Sequence, residues 1–218
     1  SDWSSDVCSS DLISRVVNLQ WEVFMIMSTN TEVRTAGSSA NKTKTMALIG
    51  VMAAVTCILG PLSLAIPVSP VPISLTNLAV YFAIYVLGMK RGTISYCIYL
   101  LLGLVGLPVF SAFTGGAGKL FGPTGGYLIG FIFMALICGL FIEKWEKKIY
   151  MHFIGMVLGT AVCYVFGTAW LAFTAHMGFG AALAAGVIPF IPGDLVKIII
   201  AMIAGPIIRK QLKRAGLN

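Results

Sequence analysis

The sequence predicts an all-α membrane protein with six transmembrane helices and with both the N and C termini in the cytoplasm. Three observations support this fold class. Of the 218 residues, 58% are hydrophobic and only 11% are charged, whereas soluble domains carry roughly 25% charged residues. The hydrophobic residues form continuous runs, which favours membrane-spanning helices over the alternating pattern of a β-barrel. Basic residues cluster between every second pair of runs, which orients the chain by the positive-inside rule.

The residues at both ends are expected to lie outside the membrane domain. Residues 1–26 lack a helical period and the basic start of a signal peptide. They resemble a translated sequencing adapter, so they are expected to be a non-native leader that precedes the natural start at Met27. Residues 27–44 are expected to form a polar cytoplasmic tail, residues 45–212 the six-helix membrane domain, and residues 213–218 a short cytoplasmic tail.

Each apolar run is predicted to be one transmembrane helix, because backbone polar groups in lipid must be hydrogen-bonded internally. The six runs are 45–66, 74–89, 92–110, 124–142, 150–173 and 184–208. Basic residues precede the first run, separate the second from the third and the fourth from the fifth, and follow the sixth. They are Lys42, Lys44, Lys90, Arg91, Lys144, Lys147, Lys148, Arg209, Lys210, Lys213 and Arg214. These junctions are therefore assigned to the cytoplasm and the others to the outside.

The three outward connections differ from the short basic turns. Ser63–Leu75 contains three prolines, Ser111–Tyr127 contains six glycines, and Ala175–Asp194 is long and contains two more prolines. Connections of this length and composition suit a structured rim around a binding site. A ligand is therefore expected to arrive from outside.

Asp194 and Lys197 lie at the outer end of the last apolar run. Charges beside hydrocarbon are costly, and the spacing i, i+3 places both groups on one helical face. A ligand could offset this cost if its carboxylate paired with Lys197 while Asp194 accepted hydrogen bonds from a polar head. The alternative is a mutual ion pair in which Asp194 caps the helix.

Other motifs are less specific. Gly115–Lys119 lacks the flanking residues of a phosphate-binding loop, so it is either a flexible turn or a place of close approach to a ligand. Gly50 and Ala54 form a small-residue face, either for packing within the chain or for docking of a partner subunit. His152 and His176 have no partner at metal-ligand spacing, and no metal or cofactor is expected. The basic clusters are better explained by topology and a lipid bilayer than by nucleic acid.

Several segments together resemble the biotin-binding substrate component (S component, BioY family) of energy-coupling factor (ECF) transporters. The segments are Pro70–Leu75, Gly115–Gly118, Gly122–Leu128 and Pro189–Lys197. They fall in the family's order in the three outward connections, and the resemblance covers essentially residues 45–212. The coincidence of the Gly122–Leu128 and Pro189–Lys197 segments makes it specific.

The resemblance implies high-affinity biotin capture and uptake by a multi-pass protein of the bacterial plasma membrane. It implies no catalytic residues, because ATP would be hydrolysed by two separate ATPase subunits. A transmembrane coupling subunit would dock on Gly50 and Ala54. Carried over by position, the substrate-binding residues would be Ser74, Thr76, Asn77, Gly115, Gly116, Gly118, Gly125, Gly126, Tyr127, Asp194 and Lys197.

One position departs from the family pattern, since Thr76 stands where a glutamine is common. The departure leaves the contact to the ureido ring open at this position. Two alternatives to biotin uptake also stay open. The first is an S component for another small vitamin. The second is an ion-coupled secondary transporter, although such a protein is expected to have duplicated halves and buried carboxylates, and only Asp194 is a candidate.

Overall fold

The computed structural model describes residues 39–64 and 71–215. The predicted leader at 1–26, residues 27–38 of the predicted polar tail and the last three residues of the chain lie outside the described residues. The elements in chain order are α1 (Ser39–Leu59), β1 (Ser63–Leu64), β2 (Ile73–Ser74), α2 (Thr76–Val105), α3 (Ala117–Phe121), α4 (Gly125–Lys144), α5 (Ile149–Thr174), α6 (Phe179–Gly186) and α7 (Ile191–Arg214).

Four of the described helices are long and apolar enough to span a membrane. They are the Lys42–Leu59 part of α1, α4, α5 and α7. Helices suit this environment because each one hydrogen-bonds its own backbone. Apart from the helices, the described ranges contain one two-stranded sheet, formed by β1 and β2. The predicted all-α membrane fold is therefore confirmed.

α1 is displaced from the predicted run at 45–66 at both of its ends. It begins at Ser39, where Lys42 and Thr43 are exposed, so their polar side chains cost nothing in the helix. It ends at Leu59 because Gly60 and Pro61 follow. Leu62 and Leu64 therefore belong to the first outward connection and not to the helix.

α2 combines the second and third predicted runs. Its helical geometry is interrupted at Gly88, with φ 80° and ψ −179°, a left-handed φ that favours glycine. The amide of Met89, the first residue after the break, donates a hydrogen bond of 2.6 Å to Glu143 Oε1. The break therefore lies at Gly88 and not at the expected Lys90–Arg91 junction, and a carboxylate from α4 caps the second half of α2.

The sixth predicted run, 184–208, is divided between two helices. α6 ends at Gly186 and α7 begins at Ile191. Pro192 stands in the first turn of α7, where its missing amide hydrogen costs no helical bond. Asp194 therefore lies in the first turn of a new helix, with the α6–α7 turn directly before it.

The first two outward connections are joined by backbone hydrogen bonds. β1 and β2 pair antiparallel, with Ser63 opposite Ser74. The amide of Ala112 donates to Ser63 Oγ at 2.8 Å and to the Pro61 carbonyl at 3.2 Å. The ends of the proline-rich connection therefore form a short hairpin against the glycine-rich one.

Two side chains attach α5 and the third outward connection to the same end of the bundle. The Trp170 indole donates to the Gly122 carbonyl at 3.0 Å. The Tyr127 hydroxyl donates to the Gly186 carbonyl at 2.9 Å, which joins α4 to the end of α6. All three connections that were expected to face outward thus meet at one end.

The basic junctions meet at the opposite ends of α4, α5 and α7. Glu146, in the turn between α4 and α5, pairs with Arg209 Nε at 3.4 Å and with the ammonium of Lys213. Glu143 reaches Met89 beside the basic pair of α2. Charges that the sequence placed on one side of the membrane are therefore neighbours in the fold.

α4 and α5 pack closely because small residues lie between them. A Cβ atom added to Gly126 would lie 2.2 Å from Trp170 Cβ, and one added to Gly155 would lie 2.4 Å from Phe141 Cβ. Such small residues allow membrane helices to approach each other, since dispersion contacts and not hydrophobicity hold them together in lipid. The large buried side chains around this contact include Tyr81, Tyr85, Tyr96, Tyr99, Met134 and Met156.

Candidate ligand-binding site

A cavity opens at the end of the bundle where the outward connections meet. Its lining side chains come mostly from β2, α2, α4, α5 and α7. Its polar lining includes Ser74, Thr76, Asn77, Tyr164, Asp194 and Lys197. Its apolar lining includes Val71, Leu128, Phe131 and Phe190. The cavity thus combines apolar walls with one concentrated polar patch.

Asp194 is the centre of this polar patch. Its side chain lies in the interior, with the residue only 7% exposed. Oδ1 accepts hydrogen bonds from Asn77 Nδ2 at 2.8 Å and from Lys197 Nζ at 3.0 Å. Oδ2 accepts one from the Tyr164 hydroxyl at 2.6 Å. Three donors therefore compensate for the loss of water around this carboxylate.

Lys197 lies one helical turn beyond Asp194 and is also 7% exposed. Besides Asp194, its ammonium donates to the Ser74 carbonyl at 2.7 Å. Among the described residues, two of its three N–H groups are thus bonded and one is left for another acceptor. Lys197 consequently links α7 to the end of the β1–β2 hairpin.

The alternative to ligand binding was that Asp194 pairs with Lys197 and also caps the helix. The structure supports the ion pair but not the cap. The N-cap residue of α7 is Phe190, and no side chain caps this helix. The carboxylate of Asp194 is bonded to side chains of other elements and to Lys197. The mutual ion pair is therefore present, but Asp194 is not the helix cap. A carboxylate in the first turn still interacts favourably with the helix dipole.

The neighbours of Asn77 fix its orientation. Its Oδ1 accepts the amide hydrogen of Leu78 at 3.0 Å, so its Nδ2 is directed at Asp194. Asn77 lies in the first turn of α2, directly after the hairpin that supplies Ser74. The chain segment Ser74–Asn77 therefore contributes both a backbone acceptor and a side-chain donor to the patch.

Polar contacts continue below the cavity between α2 and α5. The Tyr81 hydroxyl bonds Thr160 Oγ1 at 2.6 Å, and the Tyr85 hydroxyl bonds His152 Nδ1 at 3.2 Å. Asn77, Tyr81 and Tyr85 follow one another at intervals of four residues along α2, so they lie on one helical face. Long polar side chains thus bridge these two helices at successive levels.

The predicted site residues divide into two groups. Ser74, Thr76, Asn77, Tyr127, Asp194 and Lys197 all line the cavity. The glycines Gly115, Gly116, Gly118, Gly125 and Gly126 are not among its lining residues. The structure thus brings together the polar part of the predicted set and does not bring the glycines into the lining.

The glycines have a structural explanation in helix packing and backbone conformation. Cβ atoms added to Gly115 and Gly125 would lie 2.2 Å from the Leu107 oxygen and 1.6 Å from the Leu120 oxygen. Gly116 precedes α3 with a φ of 88°, and Gly118 is exposed on it. Lys119, on the same helix, is half-buried, and desolvation lowers the pKa of its ammonium.

Tyr164 is a site residue that the sequence motifs did not reveal. It lines the cavity and donates to Asp194 from 30 positions away in the chain. A signal was present, because His152, Thr160 and Tyr164 form a polar row on an otherwise apolar helix. Spacings of eight and four residues keep all three on one face.

The small-residue face of α1, formed by Gly50 and Ala54, is opposite the face that packs on the other described helices. Gly50 and Ala54 are both exposed, and a Cβ added to Gly50 would meet nothing within 4 Å. The buried face of α1 instead carries Met52, which packs against Val86 and Leu212. Within the described residues, the Gly50–Ala54 face is therefore uncovered by the rest of the chain.

Comparison with known proteins extends these observations. Residues 27–214 match the sequence model of the BioY family. The biotin transporter BioY of Thermotoga maritima is 44% identical over 138 residues, which cover 63% of this chain and 80% of that protein. The biotin transporter BioY of Lactococcus lactis is 37% identical over 184 residues, which cover 81% and 95%.

A solved structure agrees with the sequence relatives. The crystal structure of the S component for biotin from an ECF-type ABC transporter matches this fold with a TM-score of 0.75 at 34% identity. The match covers 80% of this chain and 95% of that one. The family model, the sequence relatives and the solved fold agree, and the chain belongs to the BioY family.

Proposed function

We propose that this chain captures biotin at the outer face of the membrane and acts as the substrate-binding S component of an ECF-type ABC transporter. The relatives named above are biotin transporters, and the solved neighbour is an S component for biotin. The observation that carries the proposal is the Asp194–Lys197 pair within the cavity, bonded to Asn77, Tyr164 and Ser74. Binding requires no cofactor and no covalent step.

The hydrogen-bonding capacity left at this patch suits the head of biotin. A carboxylate has about four acceptor positions, and three donors already occupy Asp194. Among the described residues, one acceptor position on Asp194 Oδ2 and one N–H of Lys197 are therefore left for a ligand. The ureido ring of biotin presents an N–H donor next to a carbonyl acceptor, which complements this arrangement. Leu128, Phe131 and Phe190 offer apolar contacts for the rest of the molecule.

The geometry favours a different role for Lys197 from the one that the sequence suggested. Its ammonium lies 3.0 Å from Asp194 Oδ1, so both groups face the same part of a ligand. The carboxylate of biotin is separated from the ureido ring by the length of the valerate chain. Lys197 is therefore better placed to bond the ureido carbonyl than the carboxylate.

Calorimetric titration of the detergent-purified protein with biotin tests this proposal. We expect a dissociation constant below micromolar, and no binding in that range would contradict the assignment. Lys197→Ala is then titrated with biotin and with a biotin amide. Equal losses of affinity for the two ligands support contact of Lys197 with the ureido head. A larger loss for biotin would show that Lys197 contacts the ligand carboxylate.

The proposed topology has six membrane spans and both termini in the cytoplasm of a bacterial cell. The break at Gly88 divides α2 into two segments, which supports six spans together with the four long helices. The shared end of Glu146, Arg209 and Lys213 supports a common cytoplasmic side for the basic junctions. Labelling of single cysteines at Lys119 and Lys147 from outside intact cells would test it, since only the first should react.

The proposed partners are a transmembrane coupling subunit and two ATPase subunits. The uncovered Gly50–Ala54 face of α1 supports docking of the coupling subunit, because small residues let a partner helix approach closely. The chain itself has no nucleotide-binding motif. The energy for release must therefore come from those partners.

The alternative of a different vitamin concerns the same cavity. Thr76 lines it at the position where the family commonly has glutamine. Competition of labelled biotin against other unlabelled vitamins separates the two readings, since only unlabelled biotin should displace the label at equal concentration. Displacement by another vitamin at lower concentration than biotin would favour that alternative.

A further inference from the structure

Tyr164 is the one donor to Asp194 Oδ2 among the described side chains. Its hydroxyl lies 2.6 Å from that oxygen, whereas Asn77 and Lys197 both bond Oδ1. The Tyr164 side chain also lines the cavity, so the bond stands next to any bound ligand. It therefore controls how much of Oδ2 a ligand can use.

We propose that Tyr164 is a positioning and selectivity residue for the head group of the ligand, an inference that rests on the proposed function. The hydroxyl holds the plane of the Asp194 carboxylate and occupies one of the two acceptor positions of Oδ2. One position is left for a ligand N–H. A cyclic urea that directs one of its two N–H groups at the open acceptor and its carbonyl at the remaining N–H of Lys197 is thereby matched to the site.

The same arrangement selects against a guanidine head. In a guanidine, an N–H group stands where the cyclic urea has its carbonyl oxygen. That group would face the Lys197 ammonium, and its nearest alternative acceptor position is the one that Tyr164 already occupies. An unpaired donor and a like charge in a desolvated site both weaken binding. By occupying this acceptor position on Asp194 Oδ2, Tyr164 thus favours a urea over a guanidine.

Tyr85 provides a matched comparison for this role. It too is a buried tyrosine whose hydroxyl bonds a side chain of α5, but its partner is His152 at 3.2 Å. It is not a lining residue of the cavity. Loss of the Tyr85 hydroxyl removes a helix–helix bond without changing the hydrogen bonding of Asp194.

The experiment compares biotin with 2-iminobiotin, in which a guanidine replaces the urea. The detergent-purified full chain is titrated with each ligand as wild type, Tyr164→Phe and Tyr85→Phe. For Tyr164→Phe we expect biotin to bind roughly tenfold more weakly, as for the loss of one hydrogen bond to a charged group. The acceptor position freed on Asp194 should let 2-iminobiotin keep most of its affinity. The ratio of the affinity for biotin to that for 2-iminobiotin should therefore fall by about fivefold or more. Tyr85→Phe should leave this preference unchanged.

The outcomes separate the two proposals. If the wild type does not bind biotin, the proposed function is refuted and this inference falls with it. If the wild type binds but Tyr164→Phe keeps the wild-type preference, Tyr164 has only a structural role and the inference alone is refuted.

A second replacement serves if Tyr164→Phe does not fold. Tyr164→Leu also removes the hydroxyl and frees the same acceptor position of Asp194. It should lower the preference for biotin over 2-iminobiotin, and an unchanged preference would overturn the inference.

Discussion

At the scale of single residues, the Asp194 carboxylate depends on donors from three separate helices. Asn77 comes from α2, Tyr164 from α5 and Lys197 from α7 itself. Removing one member of a buried ion pair is costly because the other charge is left without a partner in a low-dielectric site. The pair can therefore be tested by removing one charge and then both.

Asp194→Asn is expected to destabilise the protein by about 3–5 kcal/mol, because Lys197 keeps its charge and loses its counter-ion. The double variant Asp194→Asn/Lys197→Met should recover most of this loss in a thermal melt of the detergent-solubilised protein. Neither variant should bind biotin, since the head-group contacts are gone. A double variant as unstable as the single one would show that charge is not the cause.

The residues of this patch were predictable to different degrees. Asp194 and Lys197 stand out because charges are rare in an apolar run, and their spacing places them on one face. Tyr164 is 30 residues from Asp194, and a tyrosine in an apolar helix fits an interfacial or a core position equally well. Only the packing of α5 against α7 decides which of these positions it takes.

At the scale of helices, the contact of α4 with α5 depends on glycine. Gly126→Ala would place a Cβ atom 2.2 Å from Trp170 Cβ and 2.9 Å from the Phe166 carbonyl. The helices must separate to admit it, and we expect a loss of about 1–3 kcal/mol from overpacking. The measurement is the melting temperature of the purified protein.

Gly118→Ala is the matched control for this prediction, because Gly118 is exposed and an added Cβ there meets nothing within 4 Å. It should melt like the wild type. Equal melting temperatures for Gly126→Ala and the wild type would contradict the packing role. Sequence alone could not separate these two glycines, since a missing side chain is needed equally for helix packing and for contact with a ligand.

The break in α2 depends on a carboxylate from another helix. Glu143→Gln replaces the charged acceptor of the Met89 amide, a bond of 2.6 Å. We expect a loss of about 0.5–2 kcal/mol, as for other helix N-terminal caps. Lys147→Gln is the control, being exposed and without a hydrogen bond among the described residues. Equal melting temperatures for the two variants would contradict the cap.

The ends of the elements were less predictable than their existence. The four long helices follow the apolar runs, but the break of α2 falls at Gly88 because a tertiary partner, Glu143, is available there. The sixth run contains a turn before Ile191, and Pro189 and Pro192 beside that turn are the sequence signal for an interrupted helix. Hydropathy measures the preference for lipid, and it does not register where the backbone changes direction.

At the scale of the whole molecule, Glu146 joins the α4–α5 turn to the end of α7. The hydrogen bond from Lys213 holds the pKa of this carboxyl below its ordinary value of 4.5. A lowered pKa means that the stabilisation is present at neutral pH and is lost as the pH falls below that ordinary value. The side chain is 46% exposed, so its contribution is small and is screened by salt.

Glu146→Gln should therefore lower the melting temperature slightly at neutral pH and low salt. The difference from the wild type should shrink on acidification below pH 4.5 and on addition of salt. Paired thermal melts across pH and ionic strength measure it. A difference that persists at low pH would show that packing and not charge causes it.

In the proposed assembly, the partner subunits dock on the uncovered face of α1. Gly50→Leu adds bulk to an exposed position without a steric clash inside the chain. We expect unchanged biotin binding but loss of co-purification with the coupling and ATPase subunits, because a partner helix can no longer approach closely. Ala161→Leu, at an exposed position of α5, should still co-purify. Co-purification of Gly50→Leu at wild-type yield would move the docking surface elsewhere.

The side-chain hydrogen bonds between α2 and α5 limit how these two helices can move relative to each other. Sliding one helix along the other by a turn would detach Tyr81 from Thr160 and Tyr85 from His152 together. Each stranded hydroxyl would cost about 1–3 kcal/mol in a medium that offers no replacement. Sliding of these two helices past each other is thereby disfavoured.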